Sequence, residues 1–469
     1  MIFSSPEFFT FFGCVLLFLW LAKGQHIKKH FLLVASYFFY GYWDWRFTFL
    51  MFAMTAVNYA LGLIIESADS PRVKRLSLIS AVLFDLGVLG FFKYYNFFTE
   101  SANQVLQVAD ISLPQLSIIL PVGISFITFQ VMAYVIDIYR GVSISANTFW
   151  DFALLTAFFP QLIAGPILKA KQFLPELQKK IVIRRENLLL GMQIFLLGLF
   201  RKVLIADRLA LFVDTVFESP QEFSSITTWL AVIAYAIQIY CDFSGYSDMA
   251  IGAAKCLGYD IPINFDIPYI SRSITEFWRR WHISLSTWLR EYLYIPLGGN
   301  RKGRLRQYIN LWVVMLLGGL WHGASWNFVL WGALHGTALA AHKFYADFLH
   351  NKRKPQSALY KGLTWAGTFL FVCTTWVFFR AATFPDAFTI LRSMYSASAF
   401  TAGGINWYAT GLLIAIPGVV VADYLGRLLN QGKYIGFNRF SHWFWLSFWL
   451  LGFLFLAPQD PQPFVYFQF

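Results

Sequence analysis

LLGGLWHGASWNFVLWGALHG, residues 316–336, decides the fold. It contains no Asp, Glu, Lys or Arg. It is also as long as a membrane crossing, which takes ~20 apolar residues over ~30 Å of hydrocarbon. The wider apolar segment Tyr308–Ala341 has Arg301, Lys302, Arg304 and Arg306 before it and Lys343 after it. Lys and Arg gather on the cytoplasmic side, so this segment leaves and returns on one side, as a hairpin or a re-entrant pair. His322 falls in its middle. An ionisable group at membrane depth is expensive, which makes it a functional candidate by default.

The same reading extends outward. The chain of 469 residues is 58% hydrophobic and 13% charged, with mean hydropathy +0.54, whereas soluble domains carry about 25% charged residues. No polar stretch is long enough for a soluble domain, so 1–469 reads as a single membrane-embedded domain of the all-α polytopic class. The net charge of +12 sits in short loops between apolar spans. It reports orientation rather than nucleic-acid binding. The 18 Trp and 23 Tyr suit long contacts with lipid at membrane–water boundaries. The four cysteines, Cys14, Cys241, Cys256 and Cys373, have neither disulfide nor zinc-ligand spacing, so no metal is expected. Cys241 reads as a buried inert thiol before an acyl acceptor.

Apolar length and loop charge together give a topology. Phe8–Ala22 is an uncleaved first span, followed by Lys23–His30 on the cytoplasmic side. Phe31–Ile65 lies between basic loops and folds as two helices turning at Trp43–Arg46. Ser77–Phe98 goes out and Ser117–Ile138 returns. Residues 151–173, broken by Pro160, Gly165 and Pro166, form a re-entrant segment. Leu188–Phe217 goes out, interrupted by Arg201 and Lys202, and Thr228–Leu257 returns. Residues 258–310 lie on the cytoplasmic side, and three or four spans follow within 363–457. The total is about eleven crossings plus re-entrant and interfacial pieces, with the tail outside.

Four stretches could carry chemistry. In 276–292, Trp278, Trp281, Leu285, Trp288 and Tyr292 recur every three or four residues, one face of an amphipathic interfacial helix. His282 lies on or beside that face, either as a packed interfacial histidine or as a polar group at the inner mouth of a cavity. Gly318, Gly319 and Gly323 surround His322, with Trp321, Trp326 and Trp331 as walls. The plain alternative for it is a core histidine bonded to a carbonyl. His335 and His342 are weaker candidates, while His26, His30, His350 and His442 lie in or near loops. In 238–252, Asp242 and Asp248 are six apart and so do not share a helical face, which argues for buried ion pairs or histidine orientation rather than paired acids. Ser125, within 120–141, has no base near it in sequence. No P-loop, GxSxG or HExxH occurs. A base without an obvious nucleophile suits a reaction whose nucleophile belongs to the substrate, such as acyl transfer to a hydroxyl.

These stretches resemble the membrane-bound O-acyltransferase family, nearest its bacterial polysaccharide branch. The matching segments are MIFSS (1–5), LLVASYFFYGYW (32–43), PVGISFITFQ (121–130), FFPQLIAGPI (158–167), YCDFSGYSDMAIG (240–252), NFDIPYISRSITEFWRRWHISLSTWLREYLYIPLGGNR (264–301), GGLWHGASWNFVLWGALHG (318–336) and VYFQF (465–469). The resemblance implies a many-helix fold around a central funnel, His322 as the essential residue and His282 as a supporting one. It implies acetyl-CoA as a cytoplasmic donor substrate with no bound cofactor. Arginines of the 276–292 helix would attract the donor's phosphates, so Arg279, Trp281 and Arg290 are the donor-side candidates, and Asp242 and Asp248 read as structural or orienting. The acetyl group would go to an exported exopolysaccharide, alginate or cellulose, through periplasmic acetylation proteins beside a polysaccharide synthase and export complex. The location would be the bacterial inner membrane. The rivals are a polysaccharide-precursor transporter or flippase, a scaffold subunit of a secretion complex, and a relative that moves another group, such as D-alanine, onto teichoic acid.

Overall fold

The structure is a computed structural model that describes residues 1–163, 165–348, 357–396, 410–433 and 464–465. Its regular elements are all helical. Among the described residues, six helices are long and apolar enough to cross a membrane: Arg46–Ser67, Pro71–Leu106, Arg185–Glu218, Ser225–Cys256, Ala358–Arg380 and Gly411–Asn430. Two shorter apolar helices, Pro6–Leu21 and Ile124–Tyr139, accompany them. Trp20, Val34, Phe49 and Leu83 point outward from the protein, as lipid-facing side chains do. The chain is a multi-pass membrane protein. Part of the spans expected within 363–457, His350, His442 and residues 466–469 lie outside the described residues.

Two compact units form, Met1–Met192 with Ala250–Pro262, and Gln193–Met249 with Ile263–Phe469. The first holds α1 (Pro6–Leu21), α2 (Gln25–Gly41), α3 (Arg46–Ser67), α4 (Pro71–Leu89), α5 (Tyr95–Leu106), α6 (Ile124–Tyr139), α7 (Phe149–Ala157), α8 (Phe159–Leu162) and α9 (Ala170–Gln178). The expected turn between α2 and α3 is present, with Arg46 on Asp44 at 2.6 Å. Two boundaries move. Helix α2 starts at Gln25, so most of the expected Lys23–His30 loop is helical, with Lys29 paired to Asp151 of α7 at 2.8 Å. The returning helix begins only at Ile124, because Pro121 and the left-handed Gly123 (φ 73) precede it.

The 151–173 segment is broken as its prolines require. Pro160 lacks an N–H for the helical bond to residue 156, and the chain departs from helix at Phe158 before resuming as α8. Gln130 Nε2 (2.9 Å) and Gln161 Nε2 (3.0 Å) both donate to the Leu155 carbonyl left exposed by the break. Irregular backbone inside a membrane protein needs such internal partners.

The second unit takes in the C-terminal part of α10 (Arg185–Leu199), α11 (Asp207–Glu218), most of α12 (Ser225–Cys256), α13 (Ile274–Arg280), α14 (Ile283–Leu289), α15 (Arg304–His322), α16 (Trp326–Phe348), α17 (Ala358–Arg380), α18 (Phe384–Tyr395) and α19 (Thr410–Asn430). A π-helical turn, Phe200–Ala206, joins α10 to α11. It carries the adjacent cations Arg201 and Lys202, both buried. Tyr308–Ala341 is a helical hairpin of α15 and α16. Its two helices meet at glycines. A Cβ at Gly319 would strike the Phe328 carbonyl, and one at Gly332 would strike the Met315 carbonyl.

Candidate active site

His322 is the last residue of α15, and Gly323 leaves the helix in extended conformation. The hairpin turn therefore holds the imidazole at a helix end. His322 is 3% exposed. The rings of Trp321 and Trp331 lie 5.1 Å from it and that of Phe379 lies 5.3 Å away.

His282 joins this shell from a different part of the chain. Its ring centroid is 6.5 Å from that of His322, 6.0 Å from Trp321 and 4.6 Å from Phe243 of α12. The expected continuous interfacial helix over 276–292 does not form. It breaks at His282, which adopts a left-handed conformation (φ 43, ψ 58) between α13 and α14, and a π-helical turn, Arg290–Tyr294, follows. The aromatic face is buried rather than laid on a surface: Trp278, Trp281, Leu285, Trp288 and Tyr292 are all inside.

Asn264 is the physical cause of the break. Its carbonyl accepts from Ile283 N at 2.9 Å. Its side-chain oxygen accepts from Ser284 N (3.1 Å) and Ser284 Oγ (2.9 Å) and faces His282 Nδ1 at 3.2 Å. These bonds take up the first N–H groups of α14, which a continuous helix would have sent to residues 279 and 280. Sequence periodicity missed Asn264 altogether; its place in NFDIPY, a matched segment, was the available signal. His282 lies outside the six long helices, and burial pushes its pKa down to about 3. The imidazole is therefore neutral at physiological pH.

His335 is fully buried and held at both nitrogens, receiving Trp278 Nε1–H on Nδ1 (3.2 Å) and facing Thr375 Oγ1 from Nε2 (3.0 Å). It locks α13, α16 and α17 together. His342 Nδ1 faces Thr275 Oγ1 at 2.9 Å. His26 and His30 are exposed on α2, not in a loop.

Asp242, which is buried, and Asp248, which is partly buried, form ion pairs on α12. Lys202 Nζ lies 2.6 Å from Asp242 and 2.8 Å from Asp207. Arg201 lies 2.6 Å from Asp248 and 2.8 Å from Asp423 of α19, which also accepts from Tyr240 OH at 2.6 Å. Asp242 Oδ2 further accepts from Val465 N at 2.8 Å, while Phe464 packs on Phe243 and Tyr246. The segment 464–465 thus braces a wall of the His282 pocket. The sequence alone had placed neither Asp423 nor Phe464 near this site.

Arg279 is exposed and lines a cavity of about 700 Å³ with Arg272, Arg280, Lys361, Asp266 and Glu276 among its walls. Arg280 pairs with Asp266 (2.9 Å) and Glu276 (3.1 Å). Arg272, Arg279 and Lys361 then leave the cavity with a positive balance, suited to phosphate. Arg290 is exposed but lies outside this lining, and Trp281 is fully buried against Phe265, Phe277 and Trp376. The three donor-side candidates therefore occupy three different surroundings. Cys241 is buried. Ser125 belongs to α6, with Lys93 Nζ at 3.4 Å. Among the described residues no group of three or more His, Cys, Asp or Glu could hold a metal ion.

Comparison with known proteins places the chain among acyl-transferring enzymes. The sequence profile of the membrane-bound O-acyltransferase family, MBOAT, matches residues 151–384. The probable alginate O-acetylase AlgI of Pseudomonas aeruginosa is 42% identical over 91% of this chain and 80% of its own. The peptidoglycan O-acetyltransferase of Helicobacter pylori is 41% identical over 80% of this chain and 75% of its own. The teichoic acid D-alanyltransferase of Streptococcus thermophilus is 29% identical over 46% of this chain and 55% of its own.

Proposed function

This chain belongs to the membrane-bound O-acyltransferase family, and on that premise we propose that it O-acetylates an exported exopolysaccharide, alginate by preference, from cytoplasmic acetyl-CoA. The observation that carries the chemistry is the buried pair of imidazoles, His282 and His322, 6.5 Å apart in an aromatic shell. As the acceptor oxygen attacks the thioester carbon, His322 takes the hydroxyl proton. The tetrahedral intermediate expels the CoA thiolate, which receives that proton, leaving acetyl on the sugar oxygen. His282 supports the acceptor beside it. The cationic cavity at Arg279 attracts the phosphates of the donor.

The whole chain, 1–469, works in this proposal as one membrane-embedded acyltransferase in the bacterial inner membrane. It completes about eleven crossings around a central funnel, and periplasmic acetylation proteins and a polysaccharide synthase and export complex are its partners. The named relatives all move acyl groups, which favours an enzyme over a transporter or scaffold. Peptidoglycan is the second acceptor reading, favoured by the 41% identity to the Helicobacter enzyme.

The test uses purified wild type and His322→Ala with labelled acetyl-CoA, with alginate or peptidoglycan fragments as acceptors. Release of CoA and labelled alginate by wild type but not by the variant supports the reading. Equal turnover by both removes His322 from the mechanism, and label on peptidoglycan alone moves the acceptor.

A further inference from the structure

We propose that Asn264 is a positioning residue that fixes His282 as its Nδ1–H tautomer and so places the ring's lone pair on Nε2. The proposal rests on the reading that His282 serves acyl transfer, but its central claim is a proton position that can be measured without turnover.

The amide of Asn264 is oriented by its hydrogen-bond partners. Its oxygen and nitrogen are distinguished by what surrounds them. Ser284 N is a backbone N–H and can only donate, so the Asn264 atom 3.1 Å from it must be the oxygen. Ser284 Oγ, at 2.9 Å, adds a second donor to the same atom. The amide nitrogen points the other way, to Ser247 Oγ of α12 at 3.3 Å. The orientation is therefore set independently of His282.

His282 Nδ1 lies 3.2 Å from that same oxygen. An amide oxygen has no proton to give, so the hydrogen on this line belongs to Nδ1. A neutral imidazole carries one ring proton, and with Nδ1 protonated the lone pair sits on Nε2. The backbone enforces the arrangement. The Asn264 carbonyl holds Ile283 N at 2.9 Å while His282 itself is left-handed, with φ 43. A non-glycine residue held there marks a conformation that its surroundings over-determine.

Phe243, Phe265 and Trp321 face the ring, and the titratable group nearest among the ring contacts is His322 at 6.5 Å. Asp242, beside Phe243 on α12, is engaged by Lys202 at 2.6 Å. Arg280, two residues before His282, is engaged by Asp266 and Glu276.

The consequence is chemical. With its lone pair on Nε2, His282 accepts a hydrogen bond from a substrate hydroxyl at that atom and donates none there. The proton transferred in the reaction goes to His322. An acceptor with neighbouring hydroxyls, as polysaccharide residues have, can then bond to His282 through one oxygen while another reacts.

The experiment is solid-state NMR of the full chain, 15N-labelled at histidine, in nanodiscs. The His282 signals are identified by their loss in His282→Gln. Wild type is expected to show Nδ1 protonated and Nε2 unprotonated, with that preference lost in Asn264→Ala. A His282 protonated at Nε2 in wild type, or the same tautomer in Asn264→Ala, overturns the proposal. Should Asn264→Ala fail to fold, Asn264→Asp keeps the shape and adds a carboxylate. It is expected to raise the His282 pKa, to move the acid limb of activity to higher pH, and to lower kcat/KM for the acceptor at neutral pH by about 10-fold. An unchanged pH profile in Asn264→Asp also overturns the proposal. A wild type that releases no CoA defeats the acetyl-transfer reading instead, and leaves the tautomer result standing.

Discussion

His282 and His322 stand 40 residues apart in sequence and 6.5 Å apart in space, ring centroid to ring centroid. Both are buried in one aromatic shell. His322→Ala is expected to lose acetyl transfer by about 10²–10⁴-fold with unchanged membrane levels, as removal of a general base does. His282→Gln is expected to lose less, and the double variant less than the product of the two single losses, because the pair acts as a unit. Labelled CoA release from purified variants measures all three.

The pH dependence of stability follows from the His282 pKa, lowered by burial from 6.5 to about 3. Between those values the unfolded state binds the proton and the folded state does not, so stability rises with pH. The contribution is complete above pH 6.5 and is lost progressively as pH falls toward 3. Melting in detergent between pH 7 and pH 5 should therefore fall more steeply for wild type than for His282→Gln. The limiting difference is about 1.4 kcal/mol per pH unit.

Lys202 bridges Asp207 and Asp242 with 2% of its side chain exposed. Lys202→Met strands two carboxylates and should cost about 3–5 kcal/mol. Adding Asp207→Asn and Asp242→Asn should recover part of the loss. The amount of folded protein surviving heating, followed by size exclusion, checks this.

Gly332→Ala should push α16 away from the Met315 carbonyl, which its Cβ would strike. The expected cost is about 1–3 kcal/mol, together with lost activity, because the same hairpin carries His322. Gly362→Ala, with open space around its Cβ, is the neutral control. Thermal melting and CoA release are read on both.

Arg272→Gln and Arg279→Gln should raise the KM for acetyl-CoA by about 10-fold each while leaving kcat unchanged, since the lost contacts bind ground state and transition state alike. The wild-type KM should rise with added salt, and the variants should respond less. Initial rates across acetyl-CoA concentration and ionic strength measure both effects.

Much of the site was legible along the chain because hydrophobicity and charge act locally. A membrane penalises any polar group, so His322 and the Arg201–Lys202 pair stood out without a structure. Pro160 announced the break in 151–173 because a missing N–H breaks a helix wherever it falls. The left-handed turn at His282 could not be read in that way. Trp278, Trp281, Leu285 and Trp288 keep helical spacing straight through it, and the cause, Asn264, lies 18 residues upstream.

The sequence by itself determined the class of molecule and marked its apolar runs and two histidines as candidates, because these follow from the solvation of each side chain and the length of each run. Only the tertiary structure decided which groups meet. It gave Lys202 to Asp207 and Asp242, Arg201 to Asp248 and Asp423, and the His282 ring to Asn264. A buried charge or a buried imidazole must be satisfied by whatever packing brings within hydrogen-bond reach, and in this fold those partners come from segments far away in the chain.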